Sequence, residues 1–493
     1  MTRPRGSRGS RQGDSRNGGY RSGRLRFGAL AGALAVSIAI SGCSSSGNSA
    51  EAEDRAKSPT DGESAGDESS SVDLSGVDRV LSADGTKVLA NLDPRFQSYN
   101  VEMVEVTGGE FWAPYDSDGS KVARPPIELS SVRLRNLARA LGPAYIRVSG
   151  TWANSTYFDV DGTSGGVAPE GFGGVLTTDQ WKGVGDFAEA VDGEIVTSFA
   201  SHIGVRDAAG VWKGDQAKAL MEFSLKNDIP LVAAEFYNEP SINIGVPPGY
   251  DIASFGRDFK TFKALAGEVM PKLKIVGPGA VEDVTPLVLK PALPVKEMFD
   301  VTGPAFDAFS YHFYPKVSER CGSKEGPEVG LTQEFLSRVE ADRDFYKGIR
   351  DEYQPGAPMW VTETAQAACG GDRWAAQYLD VIRYVDELGR LADGDGDVVF
   401  HNTLAASDYG LIDEDGFKPR PTYWAAVLWQ KLMGSKVLAA DTGSGTAKTD
   451  VADLAVYTHC TPSTKKPSVT YAVVNSSATE QRTVATRTKG ARV

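Results

Sequence analysis

Three glutamates at or near the ends of apolar runs have the placement that bond cleavage by paired carboxyl groups requires. Glu235 and Glu239 lie in Leu231–Ile242, LVAAEFYNEPSI, where a buried-strand pattern ends in carboxylates, an asparagine and a proline. Glu363 lies in the second such run, Met359–Thr364, MWVTET. Two carboxyl groups about 5–5.5 Å apart can cleave an acetal with retention of configuration. One attacks the anomeric carbon, while the other protonates the leaving oxygen and later activates water. If Leu231–Phe236 is a strand, alternation puts Leu231, Ala233, Glu235, Tyr237 and Glu239 on one face, with Glu235 one layer deeper. A carboxylate at that depth suits an ion pair with a buried arginine better than catalysis. Glu239 is therefore the expected acid/base and Glu363 the nucleophile. The amide of Asn238 beside Glu239 can hold a sugar hydroxyl.

Those residues need a scaffold that points strand ends at one another. Short apolar runs at Ser98–Met103, Ala144–Val148, Glu194–Phe199, Leu231–Phe236, Lys274–Val276, Ala308–Tyr311, Met359–Thr362 and Val398–Asn402 read as strands. Amphipathic stretches between them, such as Thr178–Val191, Ile252–Met270 and Ala375–Leu391, read as helices. Eight strands alternating with helices predict an α/β fold, a closed (β/α)8 TIM barrel. An open doubly wound sheet is the alternative, but no glycine-rich phosphate loop follows the first strand. In such a barrel the site lies at the C-terminal ends of the strands. There the chain offers Glu102, Arg147, Asn238, Glu239, His312, Tyr314 and Glu363. The barrel is expected over 85–433, and 85–94 is read either as its start or as a strand of a second unit. Short strand-like runs after Met433 predict a small C-terminal β-sandwich over 434–493.

The first 43 residues carry eight arginines and then the apolar run Phe27–Ile40, the pattern of an export leader. Ile40-Ser41-Gly42-Cys43 resembles a bacterial lipobox, which makes Cys43 a lipidated N-terminus and the protein an exported, membrane-anchored surface lipoprotein. A polar, acidic, Ser-rich tether is expected over 44–84. The 493-residue chain has a net charge of −13, and loss of the arginine-rich leader makes it more acidic still, which argues against nucleic acid as a partner. Four cysteines are too few for a disulfide scaffold, and no Cys/His group has zinc spacing, so no metal and no cofactor are expected. With Cys43 lipidated, Cys321, Cys369 and Cys460 cannot all pair; Cys321–Cys369 is the favoured bridge, both lying in predicted loops.

An ordered set of segments resembles glycoside hydrolase family 79, the heparanase and β-glucuronidase family, within the clan of retaining (β/α)8-barrel glycosidases. The set comprises Leu134–Thr151 (LRNLARALGPAYIRVSGT), Asn238-Glu239-Pro240, Glu363-Thr364 followed by Cys369-Gly370-Gly371, Tyr409–Asp413 (YGLID), Tyr423-Trp424 and Val456–Cys460 (VYTHC). The resemblance runs from about Arg95 to Cys460. It implies that Glu239 is the acid/base and that Glu363 forms a covalent glycosyl intermediate. It further implies that Tyr314 hydrogen-bonds the nucleophile, that Arg147 beneath it keeps Glu363 anionic with His312 in support, and that Glu102 and Asn238 bind glycone hydroxyls. The backbone N–H groups of Gly370 and Gly371, with Tyr409, would receive a glycone carboxylate. Without the resemblance, Gly370-Gly371 reads as a turn, Tyr314 as a packing aromatic and Arg147 as a strand-end ion pair. Trp112, Trp152 and Trp374 serve equally as aglycone platforms or as packing.

The chain departs from the family pattern at Cys369, where a tyrosine is usual, and near the eighth strand, where His401 or Asn402 stands in place of a glutamine. The tail is short for the family's sandwich, so a smaller or truncated one is expected, with Cys460 lacking its partner. The function expected is an exo-acting β-glucuronidase on a glucuronide or uronic-acid-containing glycan. Rival expectations are an endo-acting heparanase-like hydrolase, a clan member acting on a neutral sugar such as an arabinofuranosidase or xylosidase, and a non-catalytic carbohydrate-binding protein. Nothing in the sequence sets the oligomeric state.

Overall fold

Eight parallel strands close into a barrel in the computed structural model of this chain. They are β1 Gln97–Asn100, β2 Ala144–Val148, β3 Gly193–Ser198, β4 Leu231–Glu235, β5 Lys274–Ala280, β6 Ala308–Phe313, β7 Met359–Thr364 and β8 Val398–His401. They pair in that order, and β8 returns to β1. The structure describes residues 76–487 except 83–86, 116, 118, 243, 245, 282, 286–290, 440, 443–450 and 463–467, together with the backbone of the strand Ala33–Ala39. Cys43, the acidic tether as far as residue 75 and the remainder of the expected leader lie outside the described residues.

The barrel interior is layered. Tyr145, Val196, Ala233, Val276, Ala308, Trp360, Val398 and Phe400 form a buried apolar floor, the side-chain layering that fills such barrels. One step up the strands the interior turns polar, with Arg147, Glu235, Ser310 and Thr362 all fully buried. Helices wrap the outside for local reasons that the sequence carries. Thr178–Ala190 starts at a capping box between Thr177 and Gln180, then buries Trp181, Val184, Phe187 and Ala188 against the strands.

The sequence reading departs from the structure in several elements. The run expected as strand to Met103 stops at Asn100, because Met103–Thr107 is a short helix whose Glu102 and Glu105 form a capping box. A helix at Val295–Thr302, between β5 and β6, went unpredicted. Arg79–Ser82, assigned above to the tether, is a strand parallel to Val484–Arg487.

Two further sheets stand beside the barrel. In one, Val88–Asn91, Lys436–Leu438, Leu454–Cys460 and Val469–Asn475 pair antiparallel in that spatial sequence, with Ala33–Ala39 on the outer edge. That last pairing was not foreseen for a stretch read as leader. The other sheet joins Asp441–Thr442, Arg79–Ser82 and Val484–Arg487. Leu81, Leu438, Leu454, Val469, Tyr471 and Val473 pack together as a separate core. Cys460 is disulfide-bonded, contrary to the expectation that it lacks a partner.

An acidic pair outside the barrel, buried Asp342 and half-buried Asp283, is expected to give the fold a pH dependence. Asp342 accepts from Thr285 Oγ1 (2.7 Å) and Asp283 from Tyr346 (3.0 Å). Burial pushes Asp342 up to about 7 and Asp283 up to about 6, and their hydrogen bonds offset only part of it. A folded pKa above the unfolded value of about 3.9 gives stability that is complete below pH ~4 and declines as pH rises through the folded value. Asp342→Asn is therefore expected to gain about 1–3 kcal/mol at pH 8 and little at pH 4. Urea unfolding of both proteins at the two pH values measures this, and an equal effect at both would refute it.

Candidate active site

Glu239 and Glu363 reach the same point over the barrel by two local devices that strand alternation does not contain. Thr362 and Glu363 are adjacent, yet both side chains turn inward: Thr362 Oγ1 bonds Glu235 Oε1 (2.7 Å) and Glu363 Oε2 meets Arg147 (3.0 Å). A bulge allows this. The register with β8 shifts between Val361 and Thr364, and β6 shifts against β7 after Tyr311. On β4 the strand ends at Glu235, Tyr237 is buried among Phe236, Tyr250 and Phe255, and Glu239 takes φ 52° before a short 3-10 turn at Pro240–Ile242. Glu239 is thus aimed by a left-handed turn, correcting the expectation of a face shared with Tyr237.

Arg147 ties the floor of the site together. Its guanidinium donates to Glu235 Oε2 (2.8 and 3.1 Å), Glu363 Oε2 (3.0 Å) and Asn238 Oδ1 (2.8 Å). Burial by itself would push Glu235 up; the Arg147 charge, His312 and bonds from Thr362 and Arg147 outweigh it and hold the carboxyl below its ordinary range. Glu235 is fully buried and also accepts from Ser310 (2.8 Å). It is built as the arginine's partner. Because Asn238 Oδ1 faces Arg147, its NH2 group is left for a ligand.

The arginine also fixes a tautomer. Arg147 Nη2 lies 3.2 Å from His312 Nε2. A guanidinium only donates, so Nε2 accepts and the imidazole proton sits on Nδ1. Nδ1 then donates to Glu239 Oε1 at 3.0 Å, leaving Oε2 to handle a proton. Ligand atoms of Glu239, His312 and Glu363 lie within 4.8 Å of one another.

Around Glu363, Tyr314 donates to Oε1 at 2.6 Å. Burial and then the Glu363 charge hold the Tyr314 phenol well above its ordinary value, so it remains a donor. Asn402 Nδ2 reaches Tyr314 (3.0 Å), Tyr409 Oη (3.3 Å) and Glu363 Oε1 (3.4 Å), and its Oδ1 is buried without a partner among the described residues. Of the two candidates near β8, Asn402 lines the site and His401 does not. His401 Nε2 bonds the Tyr409 carbonyl (2.8 Å), its ring packs on Tyr384, and burial lowers it to about 4, so it stays neutral. Glu102 Oε2 is likewise buried and unpartnered. Burial, and then the nearby Glu363 charge, raise Glu102 well above the usual range, against partial relief from Arg147. Its unpartnered Oε2 is open to a ligand hydroxyl. It occupies space that any Cβ on Gly150 would invade, 1.5 Å from Oε2.

The loop after β7 completes one wall. Cys369, Gly370 and Gly371 have φ of 60°, 80° and 78°, and Cys369 is disulfide-bonded to Cys321. A Cβ on Gly371 would come 3.0 Å from the Tyr409 Cβ, and one on Gly370 2.6 Å from the Trp112 Cβ, so both positions require glycine. The N–H groups of Gly370 and Gly371 have no partner among the described residues, although both residues are buried. Trp152 packs on Phe111 with centroids 4.9 Å apart, and Trp374 joins Phe335 and Leu336 away from the carboxylates. Sequence reasoning missed Asn154, whose side chain receives the Asn238 N–H (2.9 Å) and donates to the Asn238 carbonyl (2.9 Å). Its only signal was proximity to the end of β2.

No family model matches the chain. It is 25% identical over 376 residues to heparanase-like protein 1 of Arabidopsis thaliana, covering 71% of this chain and 65% of that protein. Bovine (Bos taurus) heparanase is 26% identical over 388 residues, 69% of this chain and 68% of that one. Baicalin-β-D-glucuronidase of Scutellaria baicalensis is 29% identical over 285 residues, 54% and 48%. The chain thus spans about two thirds of the first two and about half of the third. Among solved structures, a 4-O-α-L-rhamnosyl-β-D-glucuronidase from Fusarium oxysporum 12S superposes with a TM-score of 0.50 at 15% identity, over 80% of this chain and 81% of that one. A family 51 α-L-arabinofuranosidase from Bifidobacterium longum gives 0.58 at 13%, over 84% and 88%. At those identities the structural likeness speaks to the barrel fold alone.

Proposed function

We propose that this chain, a glycoside hydrolase of the heparanase and β-glucuronidase family, removes terminal glucuronic acid from β-glucuronides with retention of configuration. Glu363 attacks the anomeric carbon as the bond to the aglycone breaks, and Glu239 gives its proton to the departing oxygen. Glu239 then takes a proton from water, which attacks the same carbon and frees the Glu363 carboxylate. Carboxylate oxygens within 4.8 Å suit this direct displacement; an inverting pair needs room for water, about 6.5–9.5 Å. Tyr314 and Arg147 orient the nucleophile, one on each oxygen. The NH2 of Asn238 and the Glu102 carboxyl are offered to glycone hydroxyls.

The observation that carries the glucuronide reading is the buried N–H pair of Gly370 and Gly371, unpaired among the described residues, beside Tyr409, which Asn402 links to Glu363. Successive backbone N–H groups in a turn can make an anion-binding concavity. A neutral sugar would leave them unsatisfied. The purified protein is expected to release 4-nitrophenol from its β-glucuronide at least about 100-fold more efficiently than from the β-glucoside or β-xyloside. The reverse order would end the reading. Exo rather than endo action is favoured by the acidity of the chain. The leader pattern, together with the Cys321–Cys369 disulfide, supports export to an oxidising compartment.

A further inference from the structure

The structure singles out a residue that no family motif marked. Arg320 lies on the loop after β6 with its side chain 6% exposed. Nη1 donates to the carbonyls of Cys369 (3.2 Å) and Gly371 (2.6 Å), and Nη2 to the carbonyl of Ala113 (2.6 Å) and to Asp408 Oδ2. The guanidinium carbon sits 3.7 Å from the centroid of the Tyr115 ring, and Tyr115 itself donates to the Gly371 carbonyl (3.1 Å).

In a planar trans peptide the N–H points opposite to the preceding C=O. Whatever holds the Cys369 carbonyl therefore sets where the Gly370 N–H points, and whatever holds the Gly370 carbonyl sets the Gly371 N–H. Arg320 and Ser318 Oγ (3.0 Å) hold the first. Ser407 Oγ (3.0 Å) and the Asp408 N–H (3.2 Å) hold the second, and Asp408 is the residue that Arg320 pairs with. Left-handed glycines have several accessible orientations, so such a nest keeps one only if its carbonyls are fixed from behind.

Building on the glucuronide reading above, we propose that Arg320 is a positioning residue for anionic-glycone recognition, one that turns the Gly370 and Gly371 N–H groups toward the pocket by anchoring the carbonyls behind them. It touches neither the reacting carbon nor Glu239 or Glu363. Its loss therefore shows in KM for a substrate with a carboxylate, more than in kcat.

The test is Arg320→Met and Arg320→Lys, assayed on 4-nitrophenyl β-glucuronide and the matching β-glucoside. For Arg320→Met we expect kcat/KM on the glucuronide to fall by about 30-fold, mostly through KM, while the glucuronide-to-glucoside ratio collapses by a similar factor. Lysine, one ammonium unable to span four acceptors, should recover little. Should Arg320→Met fold poorly, Ser318→Ala probes the same peptide plane and should raise the glucuronide KM several-fold. A parent enzyme that prefers glucuronides, together with variants that keep KM and the ratio, would overturn the role of Arg320 and leave the function standing. A parent with no such preference would instead overturn the functional reading.

Discussion

Replacing Glu363 with alanine is expected to reduce turnover of 4-nitrophenyl β-glucuronide by on the order of 10⁴-fold or more, with little effect on the midpoint of unfolding. Arg147 would still be paired with Glu235 and Asn238, so no uncompensated buried charge results. Azide separates the two glutamates further. In Glu363→Ala a small anion can occupy the vacated space and attack opposite the leaving group, giving the α-glucuronosyl azide by one inversion. In Glu239→Ala an activated leaving group still departs, the ester on Glu363 accumulates, and azide opens it to the β-product. Chromatography and NMR of the azide products distinguish the roles. A β-azide from Glu363→Ala and an α-azide from Glu239→Ala would mean that they are exchanged.

Arg147→Met is expected to destabilise the protein more than any other single change in the site. Arg147 and Glu235 both have fully buried side chains, and the arginine is the one ion-pair partner of that carboxylate among the described residues. Ser310 and Thr362 hydroxyls would remain as its donors. Removing one partner of a buried ion pair costs about 3–5 kcal/mol, most of it from the charge left behind. The sign with pH follows from Glu235. Its folded pKa lies below the unfolded value of about 4.3, so the pair's contribution is present above that value and is lost as pH falls through the lower one. Urea denaturation should show the gap between parent and variant at its full width at pH 7 and narrowed in acid. Adding Glu235→Gln to the variant should restore part of the loss at pH 7. An additive double mutant would show that the two side chains are uncoupled.

The barrel was legible because each strand carries its own apolar run and each helix its own period. Glu235 was legible as a structural carboxylate because burial depth follows from counting along a strand. Counting then failed at two places where backbone geometry departs from alternation: the bulge that turns Glu363 inward behind Thr362, and the left-handed residue at Glu239. Neither has a residue-type signature, since any L residue at φ 52° looks ordinary in sequence. The choice between His401 and Asn402 was open for the same reason, since a one-residue difference in phase decides which faces the pocket. Asn154 and Arg320 were missed because they act on backbone atoms of distant loops, a relation that no local spacing encodes. Arg79–Ser82 was missed because it follows a polar, Ser-rich stretch and pairs with a strand near the far end of the chain.

The most direct measurement is the configuration of glucuronic acid at the moment of release, followed by proton NMR on a fresh 4-nitrophenyl β-glucuronide reaction. Two displacements at one carbon, by Glu363 and then by water, predict that β-glucuronic acid appears first and the α-anomer grows in only by mutarotation. If the α-anomer appeared first, water would have displaced the aglycone directly, and the roles drawn from the close approach of Glu239 and Glu363 would be contradicted.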